Sequence, residues 1–169
     1  MKGKIIGFGG LALLIVGLVW LRGTYFSDEA KIRRTLRALA SDISFSTNTG
    51  NFSKITKLNR LMGRLTDDAM ISVEQVVARL PPVSGRSDLQ VMAQAVFSLL
   101  SSCEVTLHDI AVESIGNGAN EARVALTASA TTGRAGDDFA GQEFNVTLRK
   151  SKEGQWLVAK IEAVRTLRP

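Results

Sequence analysis

The chain has few of the side chains from which disulfide bonds, metal sites and many catalytic sites are built. Its 169 residues include one cysteine, which excludes an intramolecular disulfide, and one histidine, His108, which excludes a multi-histidine metal site. No P-loop, dinucleotide fingerprint, G-x-S-x-G elbow or zinc-ligand spacing occurs. The hydrophobic share of 45% and the charged share of 22% are those of a folded protein. We therefore expect one globular domain with a short attachment, holding no metal ion and no cofactor.

A long hydrophobic run is present near the N-terminus. Residues 5–21 carry no charge, and a helix over them would extend about 25 Å, close to the lower limit for crossing a hydrocarbon core. Trp20, Arg22 and Tyr25 stand where membrane-interface anchors lie. The run does not end in the small residues of a signal-peptide cleavage site. The sequence therefore predicts a tail and uncleaved transmembrane anchor over residues 1–22, a juxtamembrane linker over 23–26, and a domain over 27–169.

The charges that flank the run leave open the side of the membrane on which the domain lies. Lys2 and Lys4 precede the run and favour a tail that stays in the cytoplasm, whereas Arg22 and the basic residues after it favour the opposite orientation. We expect a single-pass protein of the bacterial cell inner membrane whose domain is periplasmic. A cytoplasmic domain is the alternative.

Positive charge is concentrated close to the predicted anchor. Residues 22–64 carry nine basic and three acidic side chains, whereas residues 65–169 carry ten basic and thirteen acidic ones. This distribution favours contact with anionic lipid headgroups or an acidic partner subunit, a solvated helix surface being the alternative. Few aromatic residues and no nucleic-acid-binding motif argue against nucleic acid. The residues predicted to form this partner- or membrane-contacting basic face are Lys54, Lys57, Arg60, Arg64, Arg33, Arg34 and Arg37.

Three amphipathic helices are predicted after the anchor. Ser27 caps the first, whose apolar residues recur at helical spacing from Ile32 to Ile43. The second begins near Ser53, and its expected inner face is Ile55, Leu58, Leu61, Met62 and Leu65. Ser87 and Gln90 have the spacing of a capping box for the third. Its expected buried stripe is Leu89, Met92, Val96, Leu99, Leu100 and Cys103.

The period of the hydrophobic pattern changes to two from residue 104. Alternation over residues 120–132 puts Ala122, Val124 and Leu126 on one face, with Arg123 and Thr127 on the other. An apolar face of this kind covers helices, while the polar face stays open. The pattern predicts a short strand at about 70–77 and then four antiparallel strands at about 104–115, 120–132, 141–151 and 154–167.

Three helices followed by a long meander that ends in Gly154-Gln155-Trp156-Leu157-Val158 resemble the nuclear transport factor 2-like superfamily. The resemblance lies in the order of the elements over residues 27–168. It implies a cone, in which a curved sheet wraps around helices and often encloses a pocket. The fold class is therefore α+β: an N-terminal transmembrane helix followed by three helices packed on a curved, mainly antiparallel sheet. With its anchor, the chain looks like the bitopic subunits of type IV secretion and conjugation machines, in which such a domain serves assembly.

The sequence offers little to a catalytic site inside such a cone. Enzymes of this superfamily need carboxylates, a tyrosine or a histidine that point into the cone, and the only tyrosine, Tyr25, is at the predicted membrane boundary. His108 and Asp109 are adjacent on a strand, so they face opposite ways unless a bulge intervenes. We therefore predict no catalytic residue and a chain that is not an enzyme.

The leading hypothesis for function is a non-catalytic accessory or scaffold subunit. Its domain would dock onto a larger membrane-protein complex, so its partners would be other membrane-protein subunits and the lipid bilayer, with a homo-oligomer as a further possibility. The alternative is a membrane-tethered binding module that holds a small apolar ligand in the cone. The residues expected to line such a pocket are Leu126, Phe144, Val146, Ile161 and the stripe of the third helix.

Overall fold

A computed structural model describes residues 27–73, 82–115, 120–133 and 138–164. Over these ranges the helices are α1 (Asp28–Ile43), α2 (Asn51–Gly63) and α3 (Arg86–Leu99). The strands are β1 (Leu65–Ser72), β2 (Val83–Ser84), β3 (Cys103–Ile115), β4 (Glu121–Thr132), β5 (Phe139–Lys150) and β6 (Trp156–Ala163). They form one curved sheet in the order β2-β1-β6-β5-β4-β3. Neighbouring strands are antiparallel except for β1 and β6, which are parallel. The predicted α+β class, with three helices on a mainly antiparallel sheet, is confirmed.

The predicted anchor and linker, with Trp20, Arg22 and Tyr25, lie outside the described residues. Within the described ranges, no helix is long and apolar enough to span a bilayer.

Helix α1 forms as its sequence predicts. The Ser27 hydroxyl accepts a hydrogen bond from the backbone N–H of Ala30 at 3.2 Å, which satisfies one of the free donors at the start of the helix. Asp28 and Glu29 lie in the first turn, where negative charge is favourable. Ile32 and Leu36 are fully buried on one side. The predicted cap and apolar stripe are both confirmed.

The core lies between the three helices and the inner face of the sheet. Along β4, every second residue from Ala122 to Ala130 is buried, as the alternation predicts. Those from Ala122 to Ala128 belong to the same buried cluster as Ile32 and Leu36 of α1, and their removal from water stabilises the fold. The largest side chains with less than 2% exposure are Ile32, Leu36, Val124, Leu148 and Val158.

The boundary between α2 and β1 differs from the prediction. Helix α2 ends at Gly63, and β1 begins at Leu65, about five residues before the expected strand. Leu65 was expected on the inner face of the helix, but it pairs with Val158 in the parallel ladder of β1 and β6. A contact with a strand more than ninety residues later in the sequence overrides the local helical pattern.

Helix α3 presents a different face to the core from the predicted one. It starts at Arg86 with Gly85 as its N-cap, so the capping box expected at Ser87 and Gln90 is not used. Phe97 is buried and stacks on Phe45 with ring centroids 4.8 Å apart. Residues two apart on a helix lie about 200° apart around its axis, so burial of Phe97 exposes Leu99. Leu99 is 74% exposed and Val96 is 38% exposed, so this part of the predicted stripe is wrong, whereas Leu89 is buried as predicted.

Candidate functional site

Helices α2 and α3 are separated by an open groove of about 440 Å³. Leu58 and Phe97 line it and are almost fully buried, so they form its apolar base. The other lining residues are Asn51, Lys54 and Ile55 from α2 and Gln94 and Ser98 from α3. The groove therefore has an apolar base and mixed walls, and it opens to solvent on the helical side of the molecule.

Large apolar side chains stand exposed beside this groove. Phe52 is 85% exposed and Ile55 is 57% exposed, and their spacing of three places them on one side of α2. Val91 is 69% exposed and shares a helical face with Gln94 and Ser98. Adjacent exposed apolar side chains of this kind mark interaction surfaces. We call the seven lining residues, together with Phe52 and Val91, the α2–α3 groove.

Lys54, a predicted site residue, crosses from α2 to the end of α3. Its ammonium donates hydrogen bonds to the carbonyl oxygens of Phe97 and Leu100, at 3.0 and 3.4 Å. It also lies 4.4 Å from the ring centroid of Phe45, in cation–π geometry. Helix α3 has no basic residue in its own last turn, so Lys54 supplies the positive charge that its C-terminal carbonyls favour.

The next three residues of the predicted basic face contact the end of α1. The Lys57 ammonium donates a hydrogen bond to the Ser41 carbonyl at 2.8 Å. Arg64 Nε donates to Asp42 Oδ2 at 2.7 Å, and Arg60 Nε lies 3.5 Å from Asp42 Oδ1. Asp42 is only 5% exposed, so its carboxylate depends on these arginines for compensation. These side chains thus have a role within the fold, and their contact with a partner stays a prediction.

The three arginines of α1 differ in exposure. Arg33 makes a two-pronged ion pair with Glu29, at 2.9 and 3.0 Å, and also donates a hydrogen bond to the Ile110 carbonyl. Arg34 and Arg37 have exposed side chains on the same helix. The structure therefore divides the predicted basic face: Lys54 contacts the end of α3, whereas Lys57, Arg60 and Arg64 contact the end of α1. The arginines of α1 form a separate group.

A β-bulge separates His108 from Ala111 on β3. Asp109 lies within it with φ of 46°, a left-handed conformation that is uncommon for a residue other than glycine. The bulge directs the Ile110 carbonyl to Arg33. His108 is exposed, and its Nε2 lies 3.3 Å from the Ser129 hydroxyl. The bulge that a His108–Asp109 pair would require is therefore present. Both side chains nevertheless face solvent rather than the core.

The side chains expected to line a ligand pocket are part of the core. Leu126 and Val146 are buried, and Phe144 and Ile161 pack against the same cluster. Among the described residues, Asp42 is the one buried charged side chain, and it is ion-paired. Cys103 is buried, and desolvation raises the pKa of its thiol, in keeping with its predicted role as a small core residue.

A charged cluster joins the start of α1 to the end of the sheet. The Asp28 carboxylate accepts hydrogen bonds from Lys150 at 3.1 Å and from the Trp156 indole N–H at 3.2 Å. Partial burial raises the pKa of Asp28, but these hydrogen bonds and the charges of Lys150 and Lys31 outweigh it and hold the pKa below its usual value.

The burial of Asp42 and the exposure of Phe52 and Val91 were not predicted from the sequence, and only Asp42 had a detectable signal. Asp42 lies three residues after Leu39 on the apolar stripe of α1, where an acidic side chain must find a partner. The exposure of Phe52 and Val91 has no such signal, because apolar residues at helical spacing are equally compatible with burial.

No protein-family model matches the chain, and no curated protein matches its sequence. Its fold, however, is similar to that of several solved structures. A candidate aromatic ring hydroxylase from Novosphingobium aromaticivorans is 16% identical, with a TM-score of 0.62 over 84% of this chain and 90% of that one. A candidate scytalone dehydratase from the same organism is 16% identical, with a TM-score of 0.61 over 89% and 87%. A nuclear transport factor 2-like protein with a cystatin-like fold, also from that organism, is 14% identical, with a TM-score of 0.60 over 96% and 90%.

These neighbours establish the class of the fold: three helices on a curved six-stranded sheet form the cone of nuclear transport factor 2-like proteins. At this level of identity the similarity concerns the fold alone. The fold predicted by the resemblance is confirmed.

The same comparison corrects the prediction that the chain is not an enzyme. That prediction rested on the lack of a tyrosine, a histidine or a carboxylate expected to point into the cone, yet two neighbours of the same fold are described as candidate enzymes. A catalytic site is assembled from several elements, so the pattern along single strands is not a ground for excluding one. The exclusion was therefore wrong.

Proposed function

We propose that the chain is an anchored interaction subunit. Residues 1–22 hold it in the cell inner membrane as a single-pass helix, and the domain, on the periplasmic side, docks onto a larger membrane-protein assembly. The observation that carries the proposal is the distribution of exposed apolar side chains. Among the described residues, five of the six large exposed ones are on α2 and α3: Phe52, Ile55, Val91, Val96 and Leu99.

The core of the domain is complete without these five exposed side chains, which supports a role for them in contact with another molecule. Leu58, Phe97 and the residues of α1 and the sheet already form one buried cluster without them. The unfavourable hydration of exposed apolar side chains is relieved only when another surface removes them from water. A partner that covers this side of the domain would supply that burial.

The interaction proposal is preferred to a small apolar ligand inside the cone. Leu126 and Val146, expected to line such a pocket, are buried against α1 and neighbouring strands instead. A ligand there would have to displace packed side chains, which is costly in a close-packed core.

The proposal is tested by extracting tagged full-length chain from membranes in a mild detergent, followed by sizing and mass spectrometry. We expect a stoichiometric complex much larger than the chain, found in the membrane fraction. A matched chain that lacks residues 1–22 should move to the soluble fraction. Recovery as a monomer or small homo-oligomer, or a full-length chain that is soluble without detergent, would contradict the proposal.

A further inference from the structure

We infer that the α2–α3 groove binds an amphipathic helix of a partner protein, one with an apolar face flanked by acidic side chains. This inference rests on the proposed function and adds to it where the partner binds and by what chemistry.

The shape and polarity of the groove fit a helix. Two helices form its walls, Leu58 and Phe97 form its base, and Phe52, Ile55 and Val91 stand exposed on both sides. A helix laid into such a groove buries apolar side chains spaced three and four residues apart against the base and both walls. The exposed apolar residues on both walls are thereby accounted for by a single occupant.

The net positive charge of α2 defines the flank of that helix, with Lys54 in the groove wall and the other cations on the side of α2 that contacts α1. Helix α2 contains no acidic residue, and Arg60 and Arg64 share one carboxylate, that of Asp42. Lys54 and Lys57 donate their hydrogen bonds to backbone carbonyls, which carry no net charge. An excess of positive charge therefore remains along α2. A partner with acidic side chains on that side is attracted and correctly oriented, whereas one with basic side chains is repelled.

The position of the groove favours a protein over lipid headgroups. The chain leaves the predicted anchor at the start of α1, where Asp28 is fixed to Lys150 and Trp156. Helix α1 has 16 residues and is about 24 Å long. Its opposite end, at Ser41 and Asp42, is the one that contacts α2. The groove is therefore at the far end of α1 from Ser27, where the described part of the chain begins, and this position favours a protein segment in the aqueous phase.

The first test uses full-length chain in nanodiscs of zwitterionic lipid and two synthetic helical peptides. The peptides share one leucine face, and their flanks carry glutamate in one and lysine in the other. We expect the glutamate peptide to bind at least tenfold more tightly by fluorescence anisotropy, with an affinity that falls as salt is raised. Equal binding of the two peptides, or no binding of either, would overturn the inference.

Matched variants locate the binding. Phe52→Asp and Ile55→Asp should each weaken the glutamate peptide about tenfold or more. Ile115→Asp is the control, because Ile115 is 39% exposed but lies on β3. Circular dichroism and denaturant unfolding check that all three variants are folded. Unchanged binding by both groove variants, or equal loss in the control, would overturn the location.

The second test places p-benzoylphenylalanine at position 52 or 115 of the full-length chain in cells. We expect crosslinks from position 52 alone, to a partner peptide with apolar residues at helical spacing and net negative charge. Crosslinks to lipid, to a second copy of the chain or to its own residues 1–26 would overturn the inference. The two proposals fail differently: absence of any complex contradicts the proposed function, whereas a complex that survives Phe52→Asp and Ile55→Asp contradicts the groove alone.

Discussion

Asp42 occupies a buried position on α1 that an apolar residue would ordinarily fill. Its carboxylate is tolerated there because Arg64, the residue directly after α2, donates a hydrogen bond at 2.7 Å and Arg60 lies close by. The two arginines are themselves partly exposed, so their charges keep contact with solvent. The contacts of Asp42 with the two arginines therefore determine where the end of α1 meets α2, and they do so without confining three charges in the core.

Removal of the Asp42 carboxylate should destabilise the domain. We expect Asp42→Ala to lower the free energy of unfolding by about 2 kcal/mol, because it removes a charge-assisted hydrogen bond at a buried position. Denaturant unfolding of the full-length chain measures this change. Asp67→Ala is the control, because Asp67 pairs with Arg86 at 3.0 Å but is 92% exposed, and it should leave the stability nearly unchanged. Equal effects of the two substitutions would contradict this account of Asp42.

At the scale of the elements, two lysines of α2 bind the C-terminal ends of α1 and α3. Neither α1 nor α3 has a basic residue in its last turn. Lys57 donates a hydrogen bond to the Ser41 carbonyl of α1, and Lys54 donates to the Phe97 and Leu100 carbonyls of α3. Each cation compensates the negative end of a neighbouring helix dipole. Charge reversal on α2 would therefore disturb the fold as well as any partner, so the apolar residues of the groove are the better test of docking.

The orientation of α3 leads to opposite expectations for two neighbouring residues. Phe97→Ala should lower the free energy of unfolding by about 3 kcal/mol, because it removes a buried ring that packs on Phe45. Leu99→Ser should change it by less than about 0.5 kcal/mol, because Leu99 is mostly exposed. Denaturant unfolding of both variants checks the pair. A large loss of unfolding free energy for Leu99→Ser would contradict this orientation of α3 and support the buried stripe predicted from the sequence.

At the scale of the whole molecule, Asp28 connects the first helix of the domain to the end of its sheet. Its partners Lys150 and Trp156 are 122 and 128 residues further along the chain. Lys150 also lies 5.4 Å from the ring centroid of Trp156. This cluster therefore fixes the start of α1 to the end of the sheet.

The depressed pKa of Asp28 predicts how its contribution to stability depends on pH. The folded-state pKa lies below the ordinary value of 3.8, so the unfolded state takes up a proton first as the pH falls. The stabilisation by Asp28 is therefore complete above about pH 4 and is lost as the pH falls through the folded-state pKa. We expect the difference in unfolding free energy between wild type and Asp28→Asn to be full at pH 6 and to shrink at pH 3.

Denaturant unfolding over this pH range measures that difference. Glu113→Gln is the matched control, because Glu113 is exposed on β3, and it should behave as wild type throughout. A difference for Asp28→Asn that is constant from pH 6 to pH 3 would contradict the role assigned to the carboxylate.

The features that the sequence by itself determined are those set by local periodicity and caps. The Ser27 cap, the stripe from Ile32 on α1 and the alternation along β4 all follow from side chains within one turn or one strand. The four strands after residue 103 were located to within a few residues for the same reason. The positive charge of α2 was also visible, although its partners within the fold were not.

The tertiary structure alone decided the features that depend on which segments meet. The parallel pairing of Leu65 with Val158 moved the start of β1, and the stacking of Phe97 on Phe45 selected the buried face of α3. Helical spacing leaves several faces equally apolar, and only the free energy of contacts between distant segments selects one of them. For the same reason the groove beside Phe52 emerges from the packing of two helices, and no motif in the sequence encodes it.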